Sequence, residues 1–181
     1  MDPIAAALMQ KKLKSITRQM AMAMMFSCRS LNLSEARDFC TGIYGVDGGI
    51  WEQSEFIPIM AYTVPSSIKA IAQYYCDDLH PGDVIMHNDP FTGGNQASDV
   101  KIVKPIFWED KLICFAAINA HQADVGGAVP GGYNPGAREI WQEALRITPV
   151  KIYEQGRLRR DIWDLIFANI RLPIVKEDIQ P

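Results

Sequence analysis

From Pro3 to about Leu31 apolar residues recur at helical intervals, at Ile4, Leu8, Met9, Leu13, Ile16, Met20 and Met24, with Lys11, Lys12, Lys14 and Arg18 opposite. That spacing predicts a long amphipathic N-terminal helix, and Asp2-Pro3 supplies its start: a capping carboxylate, then a proline in the first turn. The cluster Met20, Met22, Met24 and Met25 reads as packing against a neighbouring core in preference to a soft binding surface.

The period then changes. Ile43-Tyr44-Gly45-Val46 and Ile50-Trp51 flank Asp47-Gly48-Gly49, two β-prone pieces around a glycine turn, which predicts a hairpin over 39–51. Pro65-Ser66-Ser67 reads as the start of a second helix through Cys76, and His80-Pro81-Gly82-Asp83 as a turn into a short strand, Val84 to Met86. Val100 to Trp108 and Leu112 to Ala120, separated by Glu109-Asp110-Lys111, predict an antiparallel hairpin in which Pro105 needs an edge or a bulge. Helix-prone residues return at Ala137 to Leu145 and at Arg159 to Ile170. The sum is an α+β fold with a long N-terminal helix, antiparallel hairpins, glycine-rich loops and further helices.

Composition changes little in this picture. The 181 residues, 48% hydrophobic and 22% charged, suffice for one unit with a real core, spanning 1–181. Eighteen Lys and Arg against 21 Asp and Glu give a net charge of −3, which argues against nucleic-acid and membrane-surface binding. No apolar run approaches the roughly 18–20 residues of a membrane span, and no signal-peptide core is visible. Cys28, Cys40, Cys76 and Cys114 stand singly, without a CxxC pair, and read as reduced core thiols of a cytoplasmic protein. The tail from Ile170 to Pro181 still mixes apolar residues with charge, as if it belonged to something longer.

Eight of the 13 glycines are Gly82, Gly93, Gly94, Gly126, Gly127, Gly131, Gly132 and Gly136. They place turns and close backbone approaches on either side of the 100–120 hairpin, where sites tend to form. If 109–111 is the hairpin loop, Trp108 opposes Leu112 and Asp99 opposes His121, because turn length fixes register. A carboxylate and an imidazole side by side at the open end of a hairpin suit a divalent metal or an acid–base pair. The bland alternative stays open: a core-edge histidine bonded to a carbonyl, with Asp99 and Asp124 capping turns. His87-Asn88-Asp89-Pro90 by itself reads as a turn. With neither GxxxxGK(S/T) nor GxGxxG, a nucleotide site on this chain is not expected.

In these stretches the sequence resembles the hydantoinase B/oxoprolinase family. The resemblance rests on Arg37-Asp38-Phe39-Cys40, Gly82-Asp83, Asn88-Asp89-Pro90-Phe91-Thr92-Gly93-Gly94 with Asp99, and His121-Gln122-Ala123-Asp124-Val125-Gly126-Gly127. It extends through Pro130-Gly131, Glu139-Ile140-Trp141-Gln142-Glu143, Pro149-Val150-Lys151 and Asn169-Ile170-Arg171-Leu172-Pro173. The family includes subunits of ATP-dependent cyclic-amide hydrolases and of acetone and acetophenone carboxylases. Its members are longer, so the resemblance implies the N-terminal part of a larger subunit.

The resemblance also implies a site. Metal ligands would be Asp38, Gln96, Asp99 and His121, holding Mn, Zn or Fe, with Asp124 orienting a ligand from behind; His121, Asp124 and Asp89 are the candidate catalytic groups. Two positions depart from the family's usual histidines, Gln96 and Met60. An amide oxygen is a poorer ligand than imidazole, so weakened or absent metal binding is expected. ATP with Mg would sit on a partner, a hydantoinase A-like ATP-binding subunit of a hetero-oligomeric complex acting on a small ketone or cyclic amide. Because Gln96 marks a divergent branch, ketone carboxylation is the first expectation, cyclic-amide hydrolysis the second, and a non-catalytic scaffold the rival from another class.

Overall fold

Asp2 Oδ1 accepts a hydrogen bond from Ile4 N at 3.1 Å, and Pro3 opens helix α1, Pro3–Ser27. The computed structural model describes residues 2–54 and 56–180, so Met1 and Pro181, which the expected unit includes, lie outside the described residues. Helix α1 stops before the expected Leu31 because Cys28 turns extended; Leu31 begins a separate short helix, α2, Leu31–Ser34. Met24 and Met25 pack against the cluster of Leu33, Phe39 and Ala120, as the packing reading expects, while Met22 is exposed. Only Thr17 and Ala21 of α1 are fully buried, which leaves Ile4, Leu8, Met9 and Ile16 uncovered.

Strands β1, Phe39–Gly45, and β2, Ile50–Gln53, pair antiparallel around Asp47-Gly48-Gly49, as the sequence predicts. Helix α3 corrects the sequence reading. It runs from Pro58 to Tyr75, and Pro65 sits inside it instead of starting it. Pro58 takes the first-turn position, and the buried stripe Met60, Ala61, Val64, Ile68 and Ile71 continues straight across Pro65. Burial of that stripe outweighs the one backbone bond that proline removes. Cys76, the residue after α3, has φ 41° and is exposed, so it is not a core thiol; Cys28, Cys40 and Cys114 are buried, and all four are free.

Strands β3, Val84–His87, β4, Asp99–Trp108, and β5, Lys111–His121, form the centre of a seven-stranded sheet, with β1 and then β2 outside β5 and two further strands outside β3. The outer pair, β6, Val150–Glu154, and β7, Arg157–Leu158, forms a hairpin that the sequence reading lacks. All neighbours are antiparallel, as an α+β fold requires. The β4–β5 connection is tighter than expected. Only Glu109 and Asp110 turn the chain, both with positive φ, so Trp108 faces Lys111 instead of Leu112. A bulge between Ile106 and Phe107 then restores the predicted register, and Asp99 faces His121. Pro105 lies next to that bulge and past the β3–β4 pairs, which end at Val103, so its missing N–H breaks no ladder there.

The sheet buries both faces. Alternation sends Ile85, Val103, Phe115 and Ala117 against α3. Met86, Val100 and Ile152 meet Trp163 and Ile166 of helix α4, Arg160–Phe167, and Val175 and Ile179 of helix α5, Pro173–Ile179. The predicted terminal helix thus ends at Phe167, and α5 was not foreseen. Ala137 to Leu145 does not form a helix but one 3-10 turn, Ile140–Gln142. Its backbone is spent elsewhere: Ala128 N donates to Gln142 O at 2.8 Å and Leu145 N to Val125 O at 2.7 Å, which staples the segment to the glycine-rich loop.

Candidate functional site

Asp99 is the first residue of β4 and His121 the last of β5, so the long central hairpin sets them opposite each other. His121 Nδ1 lies 2.8 Å from Asp99 Oδ1. With the carboxylate ionised, that nitrogen carries the proton, and no described residue bonds Nε2. The bond to Asp99 holds the imidazole above its ordinary pKa; partial burial opposes this, and the charges of Asp99 and Asp38 add to it. Asp99 itself is 1% exposed while the His121 side chain is 26% exposed. A buried carboxylate therefore orients a histidine whose far nitrogen faces outward, the arrangement of a general base.

Behind the pair stands a row of polar side chains on the α3 face. Asn95 Nδ2 donates to Asp99 Oδ2 and Gln96 Nε2 to Asp99 Oδ1 at 2.9 Å, so the carboxylate is held from three sides. Lys101, two residues along β4 on the same face, donates to Asn95 Oδ1 at 3.1 Å. It has no exposed surface, and burial pulls its pKa down to about 8 against the pull of Asp99. Across the sheet from it, His87 bonds Thr92 Oγ1 through Nε2 at 2.8 Å, and burial, aided by Lys101, lowers its pKa to about 4. Burial pushes the Cys40 thiol up to about 12, so it is no nucleophile at neutral pH. Sequence reasoning missed Asn95 and Lys101 as partners of Asp99; the cue was a lysine on the buried face of a strand whose neighbours are Val100, Ile102 and Val103.

The four residues implied as metal ligands gather only in part. Gln96 turns its amide nitrogen, a donor, toward Asp99 and lies 3.3 Å from His121 Nδ1, while Asp38 reaches the site through its charge and its carbonyl, which accepts His121 N at 2.9 Å. Among the described residues no three His, Cys, Asp or Glu side chains come close enough together to hold a metal ion. As placed, the donor set does not fit a divalent metal. Met60, where the family usually carries histidine, is 2% exposed in the core beneath α3, and its carbonyl accepts from Asn119 Nδ2 at 3.0 Å.

Asp89 and Asp124 are not brought to His121. Asp89 caps the 3-10 turn Pro90–Thr92 through Phe91 N, accepts Thr92 Oγ1 at 3.1 Å, and pairs with Arg146 Nε at 3.3 Å. Asp124 accepts Gly126 N at 3.2 Å and Arg171 N at 2.7 Å, and pairs with Arg171 Nη1 at 3.4 Å. Both carboxylates have no exposed surface. Their described partners anchor loops, and His121 is not among them.

Comparison with known proteins extends over nearly the whole chain. The Hydantoinase B/oxoprolinase family model matches residues 2–179. The chain belongs to the hydantoinase B/oxoprolinase family. Within it, the chain is 34% identical over 176 residues to the caprolactamase subunit beta of Pseudomonas jessenii, covering 97% of this chain and 30% of that protein. It is 28% identical over 155 residues to 5-oxoprolinase 1 of Arabidopsis thaliana, covering 86% and 12%. The crystal structure of the ATP-dependent caprolactamase from Pseudomonas jessenii superposes with a TM-score of 0.92, covering 99% of this chain and 31% of that one. The nucleotide-free acetone carboxylase superposes with a TM-score of 0.91 at 22% identity, covering 98% and 24%, a likeness of fold. The chain thus spans less than a third of the length of these relatives. Among the described residues no helix is long and apolar enough to cross a membrane.

Proposed function

We propose that this chain is the N-terminal part of a subunit of an ATP-dependent cyclic-amide hydrolase, and that His121, oriented by Asp99, is its general base. The observation that carries this reading is the 2.8 Å contact of His121 Nδ1 with a buried Asp99, which leaves Nε2 facing outward. Hydrolysis is preferred to carboxylation because the family members similar in sequence include a caprolactamase and a 5-oxoprolinase. In this reading a hydantoinase A-like partner subunit uses ATP with Mg to phosphorylate the amide oxygen. His121 Nε2 then takes a proton from the attacking water as the water oxygen bonds the activated carbon, and passes it to the ring nitrogen. The second proton of that water follows to the same nitrogen as the carbonyl re-forms and the C–N bond breaks, releasing the amine. The product is an acyl phosphate that a second water hydrolyses. Asp99 stabilises the transient imidazolium; Asn95 and Lys101 keep Asp99 in place.

Ketone carboxylation stands as the second reading, favoured by Gln96 in place of the family's histidine. There a phosphoenol attacks carbon dioxide released from bicarbonate. The test is ATP consumption by the purified complex. Consumption with caprolactam, hydantoin or 5-oxoproline without bicarbonate, lost in His121→Ala, supports hydrolysis. Bicarbonate-dependent consumption with acetone or acetophenone overturns it in favour of carboxylation. Turnover unchanged by substitutions at both Asp99 and His121 leaves the scaffold reading standing.

A further inference from the structure

The two acids that do not reach His121 lie behind a second polar surface. An open cavity of about 850 Å³ lies between Gly127, the segment around Trp141 to Thr148, and the connection from α4 to α5. Its lining includes Arg146, Arg171, Trp141, Thr148 and Asn169, and no acidic residue is among it. Each guanidinium is held from behind by a fully buried carboxylate, Arg146 by Asp89 and Arg171 by Asp124. Those pairs use Arg146 Nε and Arg171 Nη1, and Gly127 O takes Arg171 Nη2. Among the described residues, both Nη groups of Arg146 and Nε of Arg171 have no protein acceptor. Trp141 stays 65% exposed.

The wall is fixed by backbone. Gly126 and Gly127 have φ 82° and 83°, and a Cβ on Gly127 would stand 2.5 Å from Glu143 O, so this approach is open to glycine alone. Two arginines, each with donors left over from its ion pair, thus line a cavity of the size that takes small molecules, beside an exposed tryptophan.

We infer that this cavity binds a small molecule carrying a carboxylate or phosphoryl group on a flat apolar body. The oxyanion meets the free donors of Arg146 and Arg171, and the body lies against Trp141. The inference stands independently of the reaction assigned to His121.

The test uses the full-length subunit in its complex, titrated with benzoate and with inorganic phosphate against chloride at equal ionic strength, with tryptophan fluorescence as the signal. The expected result is a saturable change that Trp141→Phe abolishes. Affinity falls at least tenfold in Arg146→Lys, which keeps the charge beside Asp89 but loses the fork, and a few-fold in Thr148→Val. Response to benzoate alone identifies a carboxylate ligand, response to phosphate alone a phosphoryl ligand, and either supports the site. A response equal to that of chloride overturns it, as do affinities unmoved by both Arg146→Lys and Arg171→Lys. A full-length structure with a protein carboxylate seated on the two arginines overturns it as well. Should both lysine variants fail to fold, Thr148→Val read by the same fluorescence and Trp141→Ala read by titration calorimetry decide between the same outcomes.

Discussion

Asp99 and Asp124 occupy similar sequence, an aspartate near paired glycines, and both are buried, at 1% and 0% exposed. Their chemistry differs because their partners do. Asp99 faces an imidazole that it orients without neutralising, so the far nitrogen stays available. Asp124, like Asp89, faces a guanidinium and backbone amides, and its charge is spent on closing a loop. What separates the two regions is how each is assembled. Strand register builds the first; loop closure between distant segments builds the second.

The comparison breaks most visibly in turnover. His121→Ala is expected to lower the activity of the intact complex by about 10²–10⁴-fold, measured by ATP consumption, with melting temperature nearly unchanged. Asp99→Asn is expected to add a pH effect. The bond to Asp99 raises the His121 pKa, so on the proposed role of His121 as a base that acts unprotonated, the acid limb of the wild-type rate profile is expected above the ordinary histidine value, and the variant is expected to move it toward lower pH.

Stability should show the opposite pattern. Asp124→Ala leaves Arg171 and two backbone amides without their acceptor, and a loss of about 3–5 kcal/mol is expected in chemical denaturation of the full chain. If that variant instead kept its stability and lost turnover, Asp124 would belong with His121 after all. Between the regions lies His87, bonded to Thr92 and thereby to Asp89. Its folded pKa of about 4 lies below the unfolded value near 6.5, so the unfolded chain binds the proton first. Stability should therefore be full above about pH 6.5 and fall by about 3 kcal/mol on the way to pH 4, where the loss levels off. His87→Leu should flatten that slope in melts taken across the range. The smallest expected effect is that of Gly127→Ala, about 1–3 kcal/mol from the close approach to Glu143 O and the positive φ, read as a lower denaturation midpoint.

The same division explains what could be read from the chain beforehand. The Asp99–His121 pairing was legible because alternation and turn position carry register over ten residues. A two-residue turn in place of three would have shifted it, but the bulge at Ile106 and Phe107 compensates. The pairing of Asp124 with Arg171 was not legible, since the two are 47 residues apart and an ion pair across that distance leaves no local pattern. Pro65 misled for a related reason: a proline that looks like a helix start is tolerated inside α3 because Val64 and Ile68 on either side are buried against the sheet. Nor does Ala137 to Leu145 keep its local preference, since the Gln142 carbonyl and the Leu145 N–H bond the glycine loop.

The two-residue turn at Glu109-Asp110 also sets an order of events. A hairpin closed by so short a loop is among the first long contacts a chain can make, on a timescale of roughly 1–10 μs. Asp99 and His121 ride at its open end and meet when it zips. Arg146 and Arg171 must wait for loops that close over much longer separations, which cost more entropy and form later. On sequence separation alone, the histidine and its carboxylate are expected to come into register before the segment that carries the arginines finds its place.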